Sequence, residues 1–255
     1  MISKILRIKH VSIGEGIPKI IIPLVGQTRD RIMQELASAL DLQPDAIEWR
    51  LDAFQNSNDF AAVQEMMALL HERLADKLLI VTFRSKDEGG EKEISKADYV
   101  ALNKWIIHTN QADFIDVEWS AGEKIVQELV ASAKANAVRV IMSSHDFNGT
   151  PDKSELVARL RQMQTYGADI PKIAVMPRCQ ADVLTLLEAT EEMNRKYADR
   201  PMITMAMGGL GAISRLCGEV FGSAMTFGVG QTASAPGQIP VKELRQALAV
   251  IHDRL

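Results

Sequence analysis

The segment IPKIAVM, residues 170–176, has the apolar composition of a β-strand but contains one lysine. Successive side chains of a strand point to opposite faces, which places Ile173 and Val175 on one face and Lys172 and Ala174 on the other. If helices flank this strand in the sequence, both of its faces are covered. A buried lysine must be paired, neutral or used in chemistry, and we interpret Lys172 as an amine nucleophile that forms a Schiff base with a ketone.

Similar apolar runs recur along the chain, and segments with helical periodicity separate them. The predicted strands are Lys19–Val25, Ala46–Leu51, Leu78–Arg84, Phe114–Glu118, Val138–Ser143, Ile170–Met176, Met202–Met207 and Ala224–Val229. The predicted helices are Arg29–Leu40, Phe60–Ala75, Lys96–Thr109, Ala121–Asn136, Asp152–Tyr166, Ala181–Tyr197, Ala212–Phe221 and Val241–His252. This alternation predicts an α/β protein with a (β/α)8 (TIM) barrel as a single domain over residues 1–255.

Two local features refine the predicted barrel. Residues 1–18 contain a weak alternation with Gly14 and Gly16, which predicts an N-terminal β-hairpin that covers one end of the barrel. Ser120 and Glu123 have the spacing of a capping box and predict a helix start there. An open doubly wound sheet is the alternative fold, but no GxGxxG motif follows the first strand.

The composition excludes several classes of function. The chain is 47% hydrophobic and 24% charged, with a net charge of −4, which is typical of a globular protein and gives no sign of nucleic-acid binding. Cys179 and Cys217 have no metal-ligand spacing and indicate a reducing compartment. The first sixteen residues lack the apolar core of a signal peptide, and no run is long enough to span a bilayer. We therefore expect a cytoplasmic protein without a membrane or nucleic-acid partner.

Charged residues follow the apolar part of several predicted strands, where a (β/α)8 barrel has its active site. These strand ends contain Glu48, Arg50 and Asp52; Arg84 with Glu88-Gly89-Gly90; Asp116 and Glu118; Ser143-Ser144-His145-Asp146; Lys172; Gly208–Gly211 with Ser214-Arg215; and the loop Gln231–Gln238. Inward positions of a purely structural barrel would be apolar. The convergence of charges therefore indicates a pocket with a chemical function.

Each of these features also has a structural interpretation. Lys172 lies near the start of its strand and would reach solvent at the opposite end of the barrel equally well. A lone residue such as His145 often caps a helix or bonds a loop, and Arg50 and Arg84 would fit a structural ion-pair network. The glycines of 208–211 would suit either a turn or a phosphate cradle. The structural interpretation requires all of these coincidences at once, so we favour the pocket.

The residue types at the strand ends fit one chemistry. Burial and nearby arginines would favour the neutral, nucleophilic form of a lysine amine. His145 would move protons at the adjacent carbon, and Glu88 or Asp116 would fix its tautomer. The arginines suit a carboxylate, and Ser234 and Gln238 would bind hydroxyls from a loop that closes over the site. The set fits a polyhydroxylated keto acid that loses water through an imine, and no metal or cofactor is expected.

Five motifs together resemble type I 3-dehydroquinate dehydratase across nearly the whole chain. They are Glu48-Trp49-Arg50, Thr82-Phe83-Arg84-Ser85 with Glu88-Gly89-Gly90, Ser144-His145-Asp146-Phe147, Pro171-Lys172 and Ser214-Arg215. The resemblance implies a lyase of the shikimate pathway that converts 3-dehydroquinate to 3-dehydroshikimate without a cofactor. It implies a homodimer as the assembly.

The resemblance also implies residue roles. Lys172 would form the imine, His145 would be the general acid and base, Glu88 would orient His145, and Asp116 is a second candidate for orienting it. The implied substrate-binding residues are Glu48, Trp49, Arg50, Arg84, Ser234, Gln238 and Arg215, the last on the substrate carboxylate. Some members of the family have a serine where this chain has Pro23, which removes one substrate contact.

Two other functions compete with the dehydratase. A class I aldolase would use the same lysine imine but would need a phosphate site, for which residues 208–211 are the candidate. A sugar-acid binder without catalysis would keep the pocket, although the presence of Lys172, His145 and Glu88 together argues against it. Turnover of a phosphosugar would favour the aldolase, and binding without turnover would favour the binder.

Overall fold

The computed structural model describes residues 4–255. In this part of the chain, parallel strands alternate with helices. The strands are β1 (Leu6–Ile8), β2 (Val11–Ile13), β3 (Lys19–Leu24), β4 (Ala46–Arg50), β5 (Leu78–Thr82), β6 (Phe114–Glu118), β7 (Arg139–Asp146), β8 (Ile170–Val175), β9 (Ile203–Ala206), β10 (Met225–Val229) and β11 (Ile239–Pro240). The helices are α1 (Arg29–Asp41), α2 (Phe60–Leu74), α3 (Lys96–Thr109), α4 (Glu123–Ala135), α5 (Lys153–Thr165), α6 (Gln180–Lys196), α7 (Ala212–Leu216), α8 (Gly218–Phe221) and α9 (Val241–His252).

The main sheet is parallel and closes on itself. Its strand order is β11-β10-β3-β4-β5-β6-β7-β8-β9, with every neighbouring pair parallel. The two ends meet at a bridge between Met202 and Ser223, where the N–H of Ala224 donates to the carbonyl of Met202 at 2.8 Å. The predicted (β/α)8 barrel is therefore confirmed, and the alternative of an open sheet is wrong.

A short antiparallel hairpin, β1 with β2, closes the N-terminal end of the barrel. Its Val11 and Ile13 side chains are buried and belong to the same apolar cluster as Ile21 and Phe114 inside the barrel. The predicted hairpin is confirmed for the described residues, and residues 1–3 of the predicted segment lie outside them. Within residues 4–255, no helix combines the length and apolarity that crossing a lipid bilayer requires.

Strand alternation divides the buried side chains into two sets. The larger cluster lies between the sheet and the surrounding helices, and the smaller one fills the barrel below the pocket. Inside the barrel, Ile80, Phe114, Ile141 and Ile170 form an apolar floor. Two residues further along the same strands, the inward positions become polar: Thr82, Asp116, Ser143 and Lys172. The floor thus separates the polar layer from the hairpin end.

Four local features differ from the predictions. Strand β7 continues through His145 to Asp146, because these polar residues pair with β8. The helix predicted over residues 212–221 is broken at Cys217 into α7 and α8, and β11 was not predicted. The predicted capping box is wrong: α4 begins after Gly122, and the Ser120 hydroxyl donates instead to Glu88.

Candidate active site

The pocket lies at the C-terminal ends of the barrel strands, as the fold predicts. Strands, the loop after β10 and helix α7 all contribute to its wall. Its lining residues are Glu48, Arg50, Arg84, Glu88, Gly89, His145, Phe147, Lys172, Ala174, Met205, Met207, Arg215, Phe227, Ser234, Ala235 and Gln238. The pocket therefore brings together the predicted site residues with the exceptions of Trp49 and Asp116.

Lys172 extends from β8 into the base of this pocket and is only 4% exposed. Its Nζ atom lies 3.4 Å from Oδ2 of Asp116, 3.9 Å from Oε1 of Glu48 and 4.6 Å from the ring centroid of Phe227. The structural alternative, in which the lysine reaches solvent at the opposite end of the barrel, is wrong. The sequence predicted arginines beside this amine, but its nearest charged neighbours are carboxylates.

His145 is held by a carboxylate on one side of its ring. Oε2 of Glu88 lies 2.9 Å from Nδ1 of His145 and also accepts the backbone N–H of the same residue at 3.0 Å. The other oxygen of Glu88 accepts the Ser120 hydroxyl. If Nδ1 is the protonated nitrogen of the neutral ring, Nε2 is left as the basic nitrogen.

Burial and charge set the protonation of this pair. Burial, together with Glu118 and Asp116 and against the effect of Arg84, raises the pKa of Glu88 to about 7. Burial and the positive charges of Arg84 and Lys172 hold the pKa of His145 well below its usual range. The imidazole is therefore neutral at neutral pH, which is the state that a general base requires.

Arg84 is the centre of a buried ion-pair network under the pocket wall. Its NH2 atom lies 2.8 Å from Oδ1 of Asp116, and its NH1 atom lies 2.9 Å from Oε1 of Glu118 and 3.5 Å from Oε2 of Glu88. Ser143 donates to Oδ1 of Asp116 at 2.6 Å. Asp116, which was one candidate for orienting His145, therefore contacts Arg84, Ser143 and Lys172, whereas Glu88 contacts the histidine.

Arg50 is fixed at the pocket wall by a fully buried carboxylate. Asp52 accepts from Nε and NH2 of Arg50 at 2.8 Å and 2.7 Å, and it also accepts the backbone N–H groups of Arg84 and Glu91, each at 3.1 Å. These bonds hold the pKa of Asp52 below its usual value despite burial. Asp52 thus joins the end of β4 to the loop that holds Glu88.

Arg215 is a buried cation that has no acidic partner within the described part of the chain. It is 1% exposed, and among residues 4–255 no carboxylate lies within ion-pair distance of its guanidinium. Its Nε has no hydrogen-bond partner there, while NH2 lies 3.3 Å from the carbonyl of Pro236. Burial lowers its pKa to about 10. An unpaired guanidinium at a pocket wall is suited to a carboxylate ligand.

The loop after β10 forms the rim of the pocket. Gln238 donates to the Ser234 hydroxyl at 3.0 Å and accepts the backbone N–H of Ser234 at 3.0 Å. The loop is tied to the neighbouring turn, since the N–H of Gly208 donates to the carbonyl of Pro236 at 3.1 Å. The N–H of Gly211 donates to the carbonyl of Gly208 at 3.2 Å, so residues 208–211 form a turn.

The geometry bears on two further expectations from the sequence, the contact assigned to Trp49 and the contact expected to be missing at Pro23. Trp49 lies opposite Glu48 and Arg50 in the alternation of β4; its side chain is fully buried between the sheet and the helices, and its ring packs 5.8 Å from that of Phe54. The expectation that it binds substrate is therefore wrong. Pro23 pairs with Glu48 in the sheet register and does not line the pocket, so it offers no direct contact.

Several apolar residues of the pocket are absent from the set predicted from the sequence. Phe147, Met205 and Met207 line the wall, and the Phe227 ring faces Lys172. Strand alternation offered one signal for Met205 and Phe227, because both occupy inward positions of predicted strands.

The fold and the pocket together place this chain in the class of (β/α)8-barrel enzymes with an amine at the base of the pocket. The family model described as Type I 3-dehydroquinase matches residues 20–254. The chain therefore belongs to this family.

Individual relatives agree with the family. The 3-dehydroquinate dehydratase of Bacillus subtilis (strain 168) is 53% identical over 248 residues, which is 97% of each chain. The solved type I enzyme of Clostridium difficile with covalently modified comenic acid superimposes with a TM-score of 0.96 at 50% identity, covering 98% of this chain and 99% of that one. The Geobacillus kaustophilus enzyme gives a TM-score of 0.95 at 39% identity, with 98% and 97% covered. The activity is that of a 3-dehydroquinate dehydratase in the shikimate pathway.

Proposed function

We propose that this enzyme dehydrates 3-dehydroquinate to 3-dehydroshikimate through a Schiff base on Lys172, with His145 as general acid and base. The observation that supports this most is the shared pocket of a buried amine and a neutral imidazole. The covalent modification named for the C. difficile enzyme fits a nucleophile in the family.

The proposed reaction proceeds through an iminium ion. The neutral amine of Lys172 adds to the ketone carbon, and the carbonyl oxygen leaves as water, which gives a C=N bond that takes up a proton. The iminium withdraws electrons from the adjacent carbon, and Nε2 of His145 removes a proton there. The C–O bond of the neighbouring hydroxyl then breaks, and His145 returns the proton so that water leaves. Hydrolysis of the iminium restores the amine and releases the enone product.

Glu88 serves this chemistry through the histidine. Its Oε2 lies 2.9 Å from Nδ1 of His145, so the ionised carboxylate keeps the proton on Nδ1 and the free electron pair on Nε2. It also stabilises the imidazolium that forms during proton transfer. Glu88 is thus the orienting group of the pair.

The remaining polar lining is proposed to bind the substrate. Arg215 binds the carboxylate, because it is buried and has no acidic partner in the part of the chain that the structure describes. The substrate hydroxyls are assigned to Glu48, Arg50, Arg84, Ser234 and Gln238, which line the same pocket. Ser234 and Gln238 bond to each other here, and each would exchange this bond for a substrate hydroxyl.

The family resemblance supports a cytoplasmic homodimer as the working form. Light scattering during size-exclusion chromatography would give twice the chain mass for a dimer, and the mass of one chain would contradict this part of the proposal.

Borohydride trapping tests the reaction. The enzyme is incubated with 3-dehydroquinate and borohydride, and the adduct is mapped by mass spectrometry. We expect a reduced adduct on Lys172 and none in Lys172→Ala, with circular dichroism showing that the variant is folded. An active wild-type enzyme without an adduct would contradict the Schiff base. Binding without turnover would favour a binder, and turnover of a phosphosugar would favour an aldolase.

A further inference from the structure

The two carboxylate oxygens of Asp116 contact different groups. It is 1% exposed, and Oδ1 accepts the Ser143 hydroxyl at 2.6 Å and lies 2.8 Å from NH2 of Arg84. Oδ2 is turned towards Lys172, with 3.4 Å between Oδ2 and Nζ. The first oxygen is therefore held by donors, which fixes the second beside the amine nitrogen.

Lys172 lies among other charged groups that act on the same nitrogen. The nearest after Asp116 is Oε1 of Glu48, 3.9 Å from Nζ, which already accepts the Thr82 hydroxyl at 3.0 Å. The ring of Phe227 covers another side at 4.6 Å. The other titratable or charged groups that line the pocket are Glu88, His145, Arg50, Arg84 and Arg215. The cations would oppose a further positive charge at Lys172, so a fixed anion beside the nitrogen is needed to retain one.

We propose that Asp116 is the counter-ion of the iminium nitrogen on Lys172. The proposal rests on the Schiff base of the proposed function. Imine formation joins the lysine nitrogen to the ketone carbon and expels the oxygen as water, and the nitrogen must then hold a proton to act as an electron sink. Asp116 stabilises the protonated nitrogen by its negative charge and neither forms nor breaks a covalent bond.

The position of Asp116 suits this role better than that of Glu48. Arg84 and Lys172 lower the pKa of Asp116 against the effect of burial, so its carboxylate stays ionised. It lies nearer to Nζ, and it does not line the pocket that receives the substrate. Glu48 lines the pocket and is proposed to bind a substrate hydroxyl. Its carboxylate is therefore not reserved for the lysine nitrogen.

The test follows the protonation of the imine directly. His145→Ala serves as the background, since the proposed mechanism predicts that the imine forms there while elimination is blocked, and 3-dehydroquinate is trapped with borohydride from neutral to alkaline pH. Borohydride reduces the protonated imine, so the yield of adduct falls as the iminium loses its proton. We expect Asp116→Asn to move this alkaline fall to lower pH by about one unit or more, the usual effect of removing an opposite charge at such a distance.

Glu118→Gln is the matched control, because Glu118 lies on the same strand and also pairs with Arg84 at 2.9 Å but does not contact Lys172. The proposal is supported if the yield of adduct falls at a lower pH in Asp116→Asn but at an unchanged pH in Glu118→Gln. An equal shift in both variants, or none in Asp116→Asn, would overturn it. If Asp116→Asn fails to fold, Asp116→Ser removes the same charge. A background protein that gives no adduct at any pH contradicts the Schiff base itself, which separates the two failures.

Discussion

Glu88 contacts His145 twice with one oxygen: Oε2 lies 2.9 Å from Nδ1 and accepts the backbone N–H at 3.0 Å. Because the backbone bond fixes the carboxylate relative to the chain, the ring contact fixes the imidazole as well. The Ser120 hydroxyl holds the other oxygen, so the carboxylate cannot rotate without losing a bond. The histidine is therefore oriented without a bound substrate, which would reduce the reorganisation needed for the proton transfer proposed for it.

Replacing this histidine should block catalysis but not imine formation. We expect His145→Ala to lower kcat by about 10²–10⁴-fold, the usual contribution of a positioned general acid and base. Borohydride should still trap substrate on Lys172 in this variant. His71→Ala is the matched control, since His71 is exposed and its Nδ1 contacts the carbonyl of Gln111 at 3.0 Å, away from the pocket. A normal kcat in His145→Ala would rule out its assigned role.

The activity should fall on the acid side of neutrality. Burial raises the pKa of Glu88 from 4.5 to about 7, and the protonated carboxyl no longer accepts the Nδ1 proton of His145. The kcat/KM should therefore decrease as the pH falls through about 7, and this acid limb of the profile should disappear in Glu88→Gln. A profile of kcat/KM against pH for both proteins measures this, and an identical acid limb in the variant would contradict the assignment.

The same shift in pKa has the opposite sign for stability. A carboxyl whose pKa is raised in the folded state favours folding when protonated, so this contribution is present below 4.5 and is lost as the pH rises through about 7. Urea unfolding of the wild-type enzyme and Glu88→Gln should show a difference in the free energy of unfolding that changes over this interval. A difference in the free energy of unfolding that stays constant over this interval would contradict the raised pKa of Glu88.

The fold was accessible from the sequence because each strand and helix has its own periodicity. The Lys172 segment and its counterparts are apolar enough to be recognised singly, and their alternation with helices leaves few topologies. The prediction ended β7 too early because its last residues, including His145, are polar, and only pairing with β8 extends it. The prediction likewise ran one helix through Cys217, where the structure has two short helices, α7 and α8, the second of which begins at Gly218.

The candidate site could be predicted from the sequence in part. A barrel brings strand ends together, so charged strand ends such as Arg84 and Lys172 predict a pocket. Alternation alone would have excluded Trp49, which has the opposite orientation to Glu48. The partner of Asp116 depends on three strands at once, and the sequence holds no local signal that its carboxylate faces Lys172 rather than His145.

Asp52 should act on the substrate through Arg50. Its carboxylate bonds Nε and NH2 of Arg50 at 2.8 Å and 2.7 Å but does not line the pocket. We expect Asp52→Asn to raise KM more than it lowers kcat, since the guanidinium loses its fixed orientation. In the Arg50→Ala background, the same substitution should change kcat/KM little, because a residue that acts through another has no further effect once that one is absent.

This double-mutant cycle distinguishes a positioning role from general damage. Asp52 also bonds the backbone of Arg84 and Glu91, so Asp52→Asn is expected to lower thermal stability in the wild-type background. The loss should be smaller in Arg50→Ala, because in the wild-type protein the substitution also breaks the buried ion pair between Asp52 and Arg50. Equal losses of kcat/KM in both backgrounds would show that Asp52 acts on the pocket independently of Arg50.

Arg215 should lower the stability of the folded protein and strengthen the binding of substrate. Burial lowers its pKa to about 10, which means that the folded protein holds this charge at a loss of free energy. Arg215→Met keeps an apolar side chain of similar reach and removes the unpaired charge. We expect the melting temperature to stay the same or rise, while kcat/KM falls about 10–100-fold from the loss of a charged hydrogen bond to the carboxylate.

The control for Arg215→Met is Arg200→Met, which removes a guanidinium that pairs with Asp199 at 2.5 Å outside the pocket. This variant should lose some stability and keep its KM, the reverse of the pattern at Arg215. Thermal unfolding and steady-state kinetics on both variants separate the two effects. An Arg215→Met enzyme that is less stable but binds substrate normally would show that the arginine supports the fold and does not bind the substrate carboxylate.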